Sequence, residues 1–413
     1  MSDDIGLRAG GRATPTVSIV VPSWNGRALL AESLPAIAAL EYPRESLEVL
    51  VFDNGSRDGS ASWLREAWPA VRVLENATNL GFAAACDRAA AAAEGELVAF
   101  LNNDLRIAPD WLTCMTGALA ASGAAAAGSR ILDWEGAHYD FDGAAMNFYG
   151  HGASPRHGRP VRPAADEAPR SALFACGAAM LADRARFLAC GGFDPDYFAY
   201  FEDVDLGWRL WIEGERVLYV PAAVAYHRHH GSGLDDDRRT ALLETNALAN
   251  VVKNYEDANL ARVLPAALLL LEARARLAGG ARAAVYRDTL TRFLDALPAL
   301  HAKRAAVQAR RRRPDREIVP LFGEPLRPSF FGCAYWREQA RVVGAFEITA
   351  IVGNVVMNDF IEELQGRIEE LEAALAAARR DAEEHGAERV RLAAEVARLR
   401  EELGRKAAAP QRR

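Results

Sequence analysis

The first hundred residues predict an α/β fold built on a parallel sheet with helices on both faces. Two observations carry this. Short β-type runs recur at Val17–Val21, Glu48–Phe52, Val71–Leu74 and Leu97–Leu101, largely apolar and without regular polar alternation, the pattern of strands buried on both sides. Between them lie stretches of helical spacing, and strands that alternate with helices must run parallel to be joined by crossovers.

Taken in order, Val17–Val21 is followed by a helical stretch with Leu30, Leu34, Ile37 and Leu40 on one face. Glu48–Phe52 precedes a short helix around Ser60–Trp68. Val71–Leu74 comes next, and then an alanine-rich helix, Phe82–Ala93, whose small side chains let it lie close to the sheet before Leu97–Leu101. Further on, a strand is expected at Arg216–Val220. The helix after Tyr200–Leu206 carries Val204, Trp208 and Trp211 along one side.

The character changes near residue 236. Thr240–Leu297 is rich in Ala, Leu and Arg at helical spacing, and a basic stretch follows with Lys303, Arg304, Arg310, Arg311, Arg312 and Arg313. In the tail, Ile361, Leu364, Ile368, Leu371, Leu375, Ala378 and Ala382 alternate spacings of three and four. The pattern resumes at Leu392, Val396, Leu399 and Leu403 after a break at His385, Gly386 and Arg389. Such a heptad seam flanked by Glu and Arg predicts a coiled coil and self-association. The expected division is therefore a disordered 1–14, an α/β domain over 15–235, a helical extension over 236–355, a coiled coil over 356–405 and a disordered 406–413.

Composition narrows the function classes. The 413 residues suit two or three domains, half of them are hydrophobic and a quarter charged, and the net charge of −7 argues against a general nucleic-acid binder. Five scattered cysteines with no Cys-x-x-Cys pair read as reduced thiols of a cytoplasmic protein. The N-terminus has no apolar stretch, so no signal peptide is expected. The apolar runs Val263–Leu271 and Val342–Met357 fall short of the roughly 20 residues of a spanning helix. The basic stretch with its neighbouring apolar helices suits either an anionic membrane surface or a solvated helix face.

In an open parallel sheet, ligands bind beyond the carboxyl ends of the strands. Polar residues sit at that edge after three strands: Pro22-Ser23-Trp24-Asn25, Asp53-Asn54-Gly55-Ser56 and Asn102-Asn103-Asp104. Each alone is a good turn former; three on one edge mark a nucleotide site. Asp53 suits a base edge, because a carboxylate accepts from a ring N–H. Asp104 suits a hard cation such as Mg2+ or Mn2+. Asn79 and Gly81, just before a helix, would let backbone approach the nucleotide.

The motifs PSWNG, FDNGSRDGS, NLGFAAACDRA, FLNND and GGFDPDYFAYFEDVDLGWRL, in this order over about residues 15–235, resemble glycosyltransferase family 2, especially its rhamnosyltransferase-like branch. The resemblance implies a GT-A fold, an inverting mechanism, a divalent metal and a nucleoside-diphosphate-sugar donor, dTDP-rhamnose-like or a UDP-sugar. It places Pro22, Ser23, Asn25, Asp53, Asn79, Gly81, Asn102 and Asn103 around the nucleotide. The metal falls to Asp104 with His227, and His229 and His230 are alternatives to the latter. The family motif commonly written Asp-x-Asp is Asn102-Asn103-Asp104 here. Asn102 can bond a ribose or a metal-bound water but carries no charge, while the position of the direct ligand is intact.

Asp203 matches the family's catalytic base, and an acceptor hydroxyl attacking C1 must lose its proton to such a group. Glu202 would orient the acceptor or support Asp203. For Asp205, the favoured reading is a carboxylate complementing the helix dipole. The resemblance says little about the acceptor; a glycan or lipid-linked hydroxyl is expected, with work in cell-envelope polysaccharide synthesis, in the cytoplasm or peripherally on the inner face of the plasma membrane. Two alternatives compete. A nucleotidyltransferase would carry a Gly-rich phosphate loop after the first strand, which PSWNGR matches poorly. A degenerate transferase-fold scaffold would work through its coiled coil alone, and the intact Asp53, Asp104 and Asp203 oppose it.

Overall fold

The computed structural model describes residues 14–162, 167–229, 233–326, 333–353 and 393–401. Strands β1 (Val17–Ser23), β2 (Leu47–Asp53), β3 (Arg72–Glu75) and β4 (Leu97–Leu101) alternate with helices α1 (Arg27–Ala38), α2 (Ser60–Ala67) and α3 (Phe82–Ala92). All four strands run parallel in the order β3-β2-β1-β4. The reason is visible in burial. Val17, Ile19, Val20 and Val21 of β1 are buried on both faces, α1 turns Leu30, Leu34 and Ile37 inward, and Ala83, Ala85, Ala89 and Ala90 of α3 are all buried.

Past β4 the sheet is mixed rather than parallel. Strand β5 (Leu105–Ile107), helix α4 (Trp111–Ser122), strand β6 (Ala126–Asp133) and strand β7 (Tyr139–Phe141) come first. A small two-stranded sheet of β8 (Ala145–Met146) and β9 (Gly152–Ala153), and then β10 (Arg170–Ser171) and β11 (Ala179–Asp183), follow. Strand β11 lies between β4 and β6 and is antiparallel to both. After α5 (Arg184–Ala189) and α6 (Glu202–Ile212) comes β12 (Val217–His227), parallel to β6 and antiparallel to β5. The expected strand ended at Val220. A register irregularity between Val220 and Val224 absorbs Pro221, and the strand resumes to end on His227.

Helices α7 (Asp236–Asn254), α8 (Asp257–Ala278), α9 (Gly280–Ala309), α10 (Asp315–Ile318) and α11 (Cys333–Ala345) belong to the same compact unit, which runs to Ile348. The face of α7 toward the α/β layers is polar: Glu244, Asn246, Asn250, Lys253 and Asn254 are all buried. The basic stretch is spent inside the unit. Lys303 pairs with Asp194 and Asp196, Arg304 donates to the carbonyls of Val252 and Tyr255, and Arg310 meets Glu213. Arg311 pairs with Asp315, and Arg313 donates to the carbonyls of Gly214 and Glu215, while Arg310 and Arg312 stay exposed. This run therefore gives little free charge to an anionic surface. Among the described residues no helix is long and apolar enough to cross a membrane.

The second unit begins at Thr349 with α12 (Thr349–Val352). Most of the expected coiled coil, 354–392 and Leu403, lies outside the described residues, as do 1–13 and 402–413. Residues 393–401 are helical, with Val396 and Leu399 buried.

Candidate active site

A cavity of about 1120 Å3 opens at the carboxyl ends of β1, β2 and β4. Of the residues singled out in the sequence, Pro22, Ser23, Asn25, Asn79, Gly81, Asn102, Asn103, Asp104, Glu202, Asp203 and His227 line it. Asp53 does not. Its Oδ1 accepts from the Ser56 N–H at 2.7 Å, closing the turn after β2, so this buried carboxylate also shapes the loop. The neighbouring Asn54 lines the cavity instead. It donates to Asn79 Oδ1 and the Gly81 carbonyl and accepts from Leu80 N–H, tying the β2 and β3 loops together.

The loop edges are braced in pairs. Asn103 Nδ2 donates to Ser23 Oγ at 2.9 Å, and Asn25 Oδ1 accepts from Arg57 N–H at 2.8 Å. Asn25 has φ of 49°, a left-handed conformation that asparagine tolerates. Gly81, at φ of 83°, serves a purpose different from the expected one. A Cβ there would lie 2.4 Å from the Phe198 carbonyl oxygen, and that oxygen also accepts from Phe82 N–H. Residue 81 is glycine so that the Phe198 loop can seat on the α3 N-terminus, which leaves that end occupied by the chain's own carbonyl.

At the far end of β4, the pairing of β5 with β12 sets His227 opposite Leu105 and so beside Asp104. His227 Nε2 is 3.2 Å from Asp104 Oδ1, and both side chains are nearly buried. Burial alone would lower the His227 pKa, but hydrogen bonding and charge from Asp104 and Asp140 raise it to about 9. The other ring nitrogen, Nδ1, is 2.7 Å from Asp140 Oδ2, and His229 Nε2 is 3.1 Å from Asp140 Oδ1. Burial favours the neutral Asp140 carboxyl, but the hydrogen bonds of His157, His227 and His229 outweigh it and hold the group far below the usual carboxylate range. His230 lies outside the described residues.

The carboxylate pair stands at the start of α6. Asp203 Oδ2 accepts from Gly177 N–H and Oδ1 from Val204 N–H, each at 2.8 Å. Burial raises its pKa to about 6 despite those bonds. Glu202 is pushed well above the ordinary value by burial and by the Asp203 charge, and its Oε2 has no hydrogen-bond partner among the described residues. Burial and Asp203 also keep the Cys176 sulfur in its thiol form. Asp205 is not a dipole complement. It is fully buried and pairs with Arg209 at 2.7 Å and Lys253 at 2.8 Å, while Asn254 donates to it. The one-turn spacing to Arg209 and the approach of α7 make it a structural ion-pair centre.

Similarity to known proteins agrees with this geometry. The sequence model of "Glycosyl transferase family 2" matches residues 18–167. An N-acetylglucosaminyl-diphospho-decaprenol L-rhamnosyltransferase of Mycobacterium tuberculosis is 30% identical over 249 residues, 54% of this chain and 79% of the relative. The chain belongs to glycosyl transferase family 2. It is a nucleotide-sugar glycosyltransferase of the rhamnosyltransferase-like branch. The O-antigen biosynthesis protein RfbC of Myxococcus xanthus is 30% identical over 230 residues, 54% of this chain and 18% of that much longer protein. Among solved structures, GalNAc-T7 with UDP, GalNAc and Mn2+ superposes with a TM-score of 0.50 at 16% identity, over 61% of this chain and 51% of its own. That likeness speaks to the GT-A-like fold of the family 2 domain.

Two residues lining this family 2 site, Asp140 and Asn54, were not singled out from the sequence, nor was Asn246, which holds the Tyr197–Tyr200 carbonyls beside it. Asp140 sits in no motif, and Asn54 reads as turn punctuation. Asn246 had a signal: with Asn250 and Asn254 it forms a row at four-residue spacing in a helix, where asparagine is a poor former.

Proposed function

We propose that this chain is an inverting glycosyltransferase that moves a sugar from a nucleoside-diphosphate donor, dTDP-rhamnose-like or a UDP-sugar, to a hydroxyl of a glycan or lipid-linked acceptor. One observation carries the reading: Asp203, the Asp104–His227 pair and the ends of β1 and β4 face a single cavity. The donor nucleotide is assigned to the Pro22–Asn25, Asn54, Asn79 and Asn102–Asn103 edge. Asp203 is assigned as the base. It takes the acceptor proton as the acceptor oxygen bonds to C1, the C1–O bond to the diphosphate breaks, and the nucleoside diphosphate leaves with that electron pair. The two backbone N–H bonds to Asp203 fix its carboxylate for this transfer. Glu202, with an unpartnered oxygen at the cavity wall, is assigned to orienting the acceptor hydroxyl. No covalent nucleophile is required, and the nearby Cys176 is held as a thiol.

Asp104 and His227 would hold a divalent cation, Mg2+ or Mn2+. A carboxylate oxygen and an imidazole nitrogen converging within 3.2 Å at the cavity wall fit such an ion. When bound, it would offset the charge of the diphosphate leaving group. A lipid-linked acceptor is supported by the activity of the mycobacterial relative, and a role in cell-envelope polysaccharide synthesis by the O-antigen biosynthesis role of the Myxococcus protein.

The deciding experiment is nucleoside-diphosphate release by the full chain across dTDP-, UDP- and GDP-sugars with a polyprenyl-diphosphate-sugar acceptor. Acceptor-dependent release from one donor class, lost with EDTA, is expected. No release from any donor would favour the scaffold reading.

A further inference from the structure

His227 touches a carboxylate through each ring nitrogen: Asp104 at Nε2, 3.2 Å, and Asp140 at Nδ1, 2.7 Å. An imidazole that gives one nitrogen to a cation carries its proton on the other, and that N–H needs an acceptor. Asp140 is built to be that acceptor. On β7, Tyr139 pairs with Leu132 and Phe141 with Ile131, consecutive residues of β6, so Asp140 is the extra residue of a bulge. Tyr139 and Phe141 are both buried in the core. A bulged residue is freed from strand alternation and can be re-aimed, and this one points at the end of β12. There its two oxygens take His227 and His229, and its main-chain carbonyl receives His157 Nδ1 at 2.9 Å.

We propose that Asp140 is a positioning residue for the divalent-cation site: it accepts from His227 Nδ1–H and so turns the Nε2 lone pair toward the ion shared with Asp104. The proposal rests on the cation reading above. It assigns Asp104 and His227 as the protein ligands and Asp140 as the group behind the imidazole. A carboxylate in that place strengthens the imidazole as a ligand and fixes its tautomer, and losing it typically costs 10- to 100-fold in metal affinity.

The test is Mn2+ affinity, read from the electron paramagnetic resonance signal of the free ion, for the full chain alone and with UDP or dTDP. Asp140→Ala should bind Mn2+ roughly 10- to 100-fold more weakly. Asp140→Asn keeps an acceptor oxygen for Nδ1–H but not the charge and should fall between the wild type and Asp140→Ala, while Asp104→Ala should lose binding altogether. Circular dichroism confirms that each variant is folded. Equal, complete loss in Asp140→Ala, Asp140→Asn and Asp104→Ala would make Asp140 a direct ligand and overturn the positioning role. Loss in Asp104→Ala and His227→Ala with Asp140→Ala unchanged overturns the role of Asp140 alone. No Mn2+ binding by the wild type with either nucleotide overturns the cation reading itself.

Discussion

The side-chain amide of Asn246, in α7, donates to the carbonyl oxygen of Tyr200 at 2.7 Å. The same nitrogen reaches the carbonyls of Ala199 at 3.0 Å and Tyr197 at 3.1 Å. It thereby holds a segment in which Phe198, Tyr200 and Phe201 have φ of 59°, 71° and 64°. Left-handed backbone at bulky residues is costly and persists only where the surroundings over-determine it. The next two residues are Glu202 and Asp203, so a helix beyond the family motifs sets the angle at which the carboxylates enter the cavity. Asn246→Ala should release this loop and lower kcat by up to roughly 10²-fold, the scale of a displaced catalytic group. Donor KM should hardly change, because the nucleotide edge lies on other loops. Steady-state kinetics with the donor varied is the check.

Asp203, raised to about 6, acts as a base only when ionised. Turnover should therefore rise with pH through about 6 and level off above it. Asp203→Asn should lower turnover by roughly 10²-fold or more and abolish that acid limb while donor binding stays near normal. A pH–rate profile of both proteins is the measurement, and near-normal turnover in the variant would remove Asp203 from the role.

Glu202 also carries a pH-dependent penalty for stability. Its folded pKa lies well above the ordinary carboxylate value, so the unfolded chain loses this proton first. The penalty is absent below the unfolded pKa and grows as pH rises from there toward the folded value. Glu202→Gln should melt several degrees higher than the wild type at pH 8, with the difference shrinking toward pH 4. Thermal denaturation at the two pH values reads this directly.

Asp205 neutralises Arg209 and Lys253 where neither reaches water. Asp205→Asn would leave the buried Arg209 facing a neutral amide and Lys253 held by Asp194 alone. Removing one member of a buried pair costs about 3–5 kcal/mol, and urea denaturation should show a loss on that scale. A loss under about 1 kcal/mol, the range of exposed pairs, would mean that water reaches the cluster.

The heptad positions from Ile361 to Leu403 would expose an apolar seam on a lone helix. Removing 359–413 should lower the oligomeric state and leave transfer to a small soluble acceptor mostly unchanged. Sedimentation of both proteins at matched concentration is the comparison. Two monomers would mean that the seam has another partner, and lost transfer in a folded truncation would tie the tail to catalysis.

What the sequence determined by itself was local and periodic. The unalternated runs around Ile19, Leu50 and Phe100 mark strands buried on both faces. The spacing of Leu30, Leu34 and Ile37 marks a helix over them, and the polar residues after β1, β2 and β4 mark the edge where a ligand binds. Asp104 and Asp203 could be read because they sit within motifs. The tertiary structure decided what depends on contacts between distant residues. Asp53 turned to Ser56, Gly81 made room for Phe198, and Asp140 reached His227, 87 positions away, through a bulge that no periodicity reveals. The antiparallel β11 and the hold of Asn246 on the Tyr200 loop belong to the same class. Hydrophobic period reports which face of an element is buried; it carries nothing about which distant polar group will meet it there, because that is set only when the layers pack.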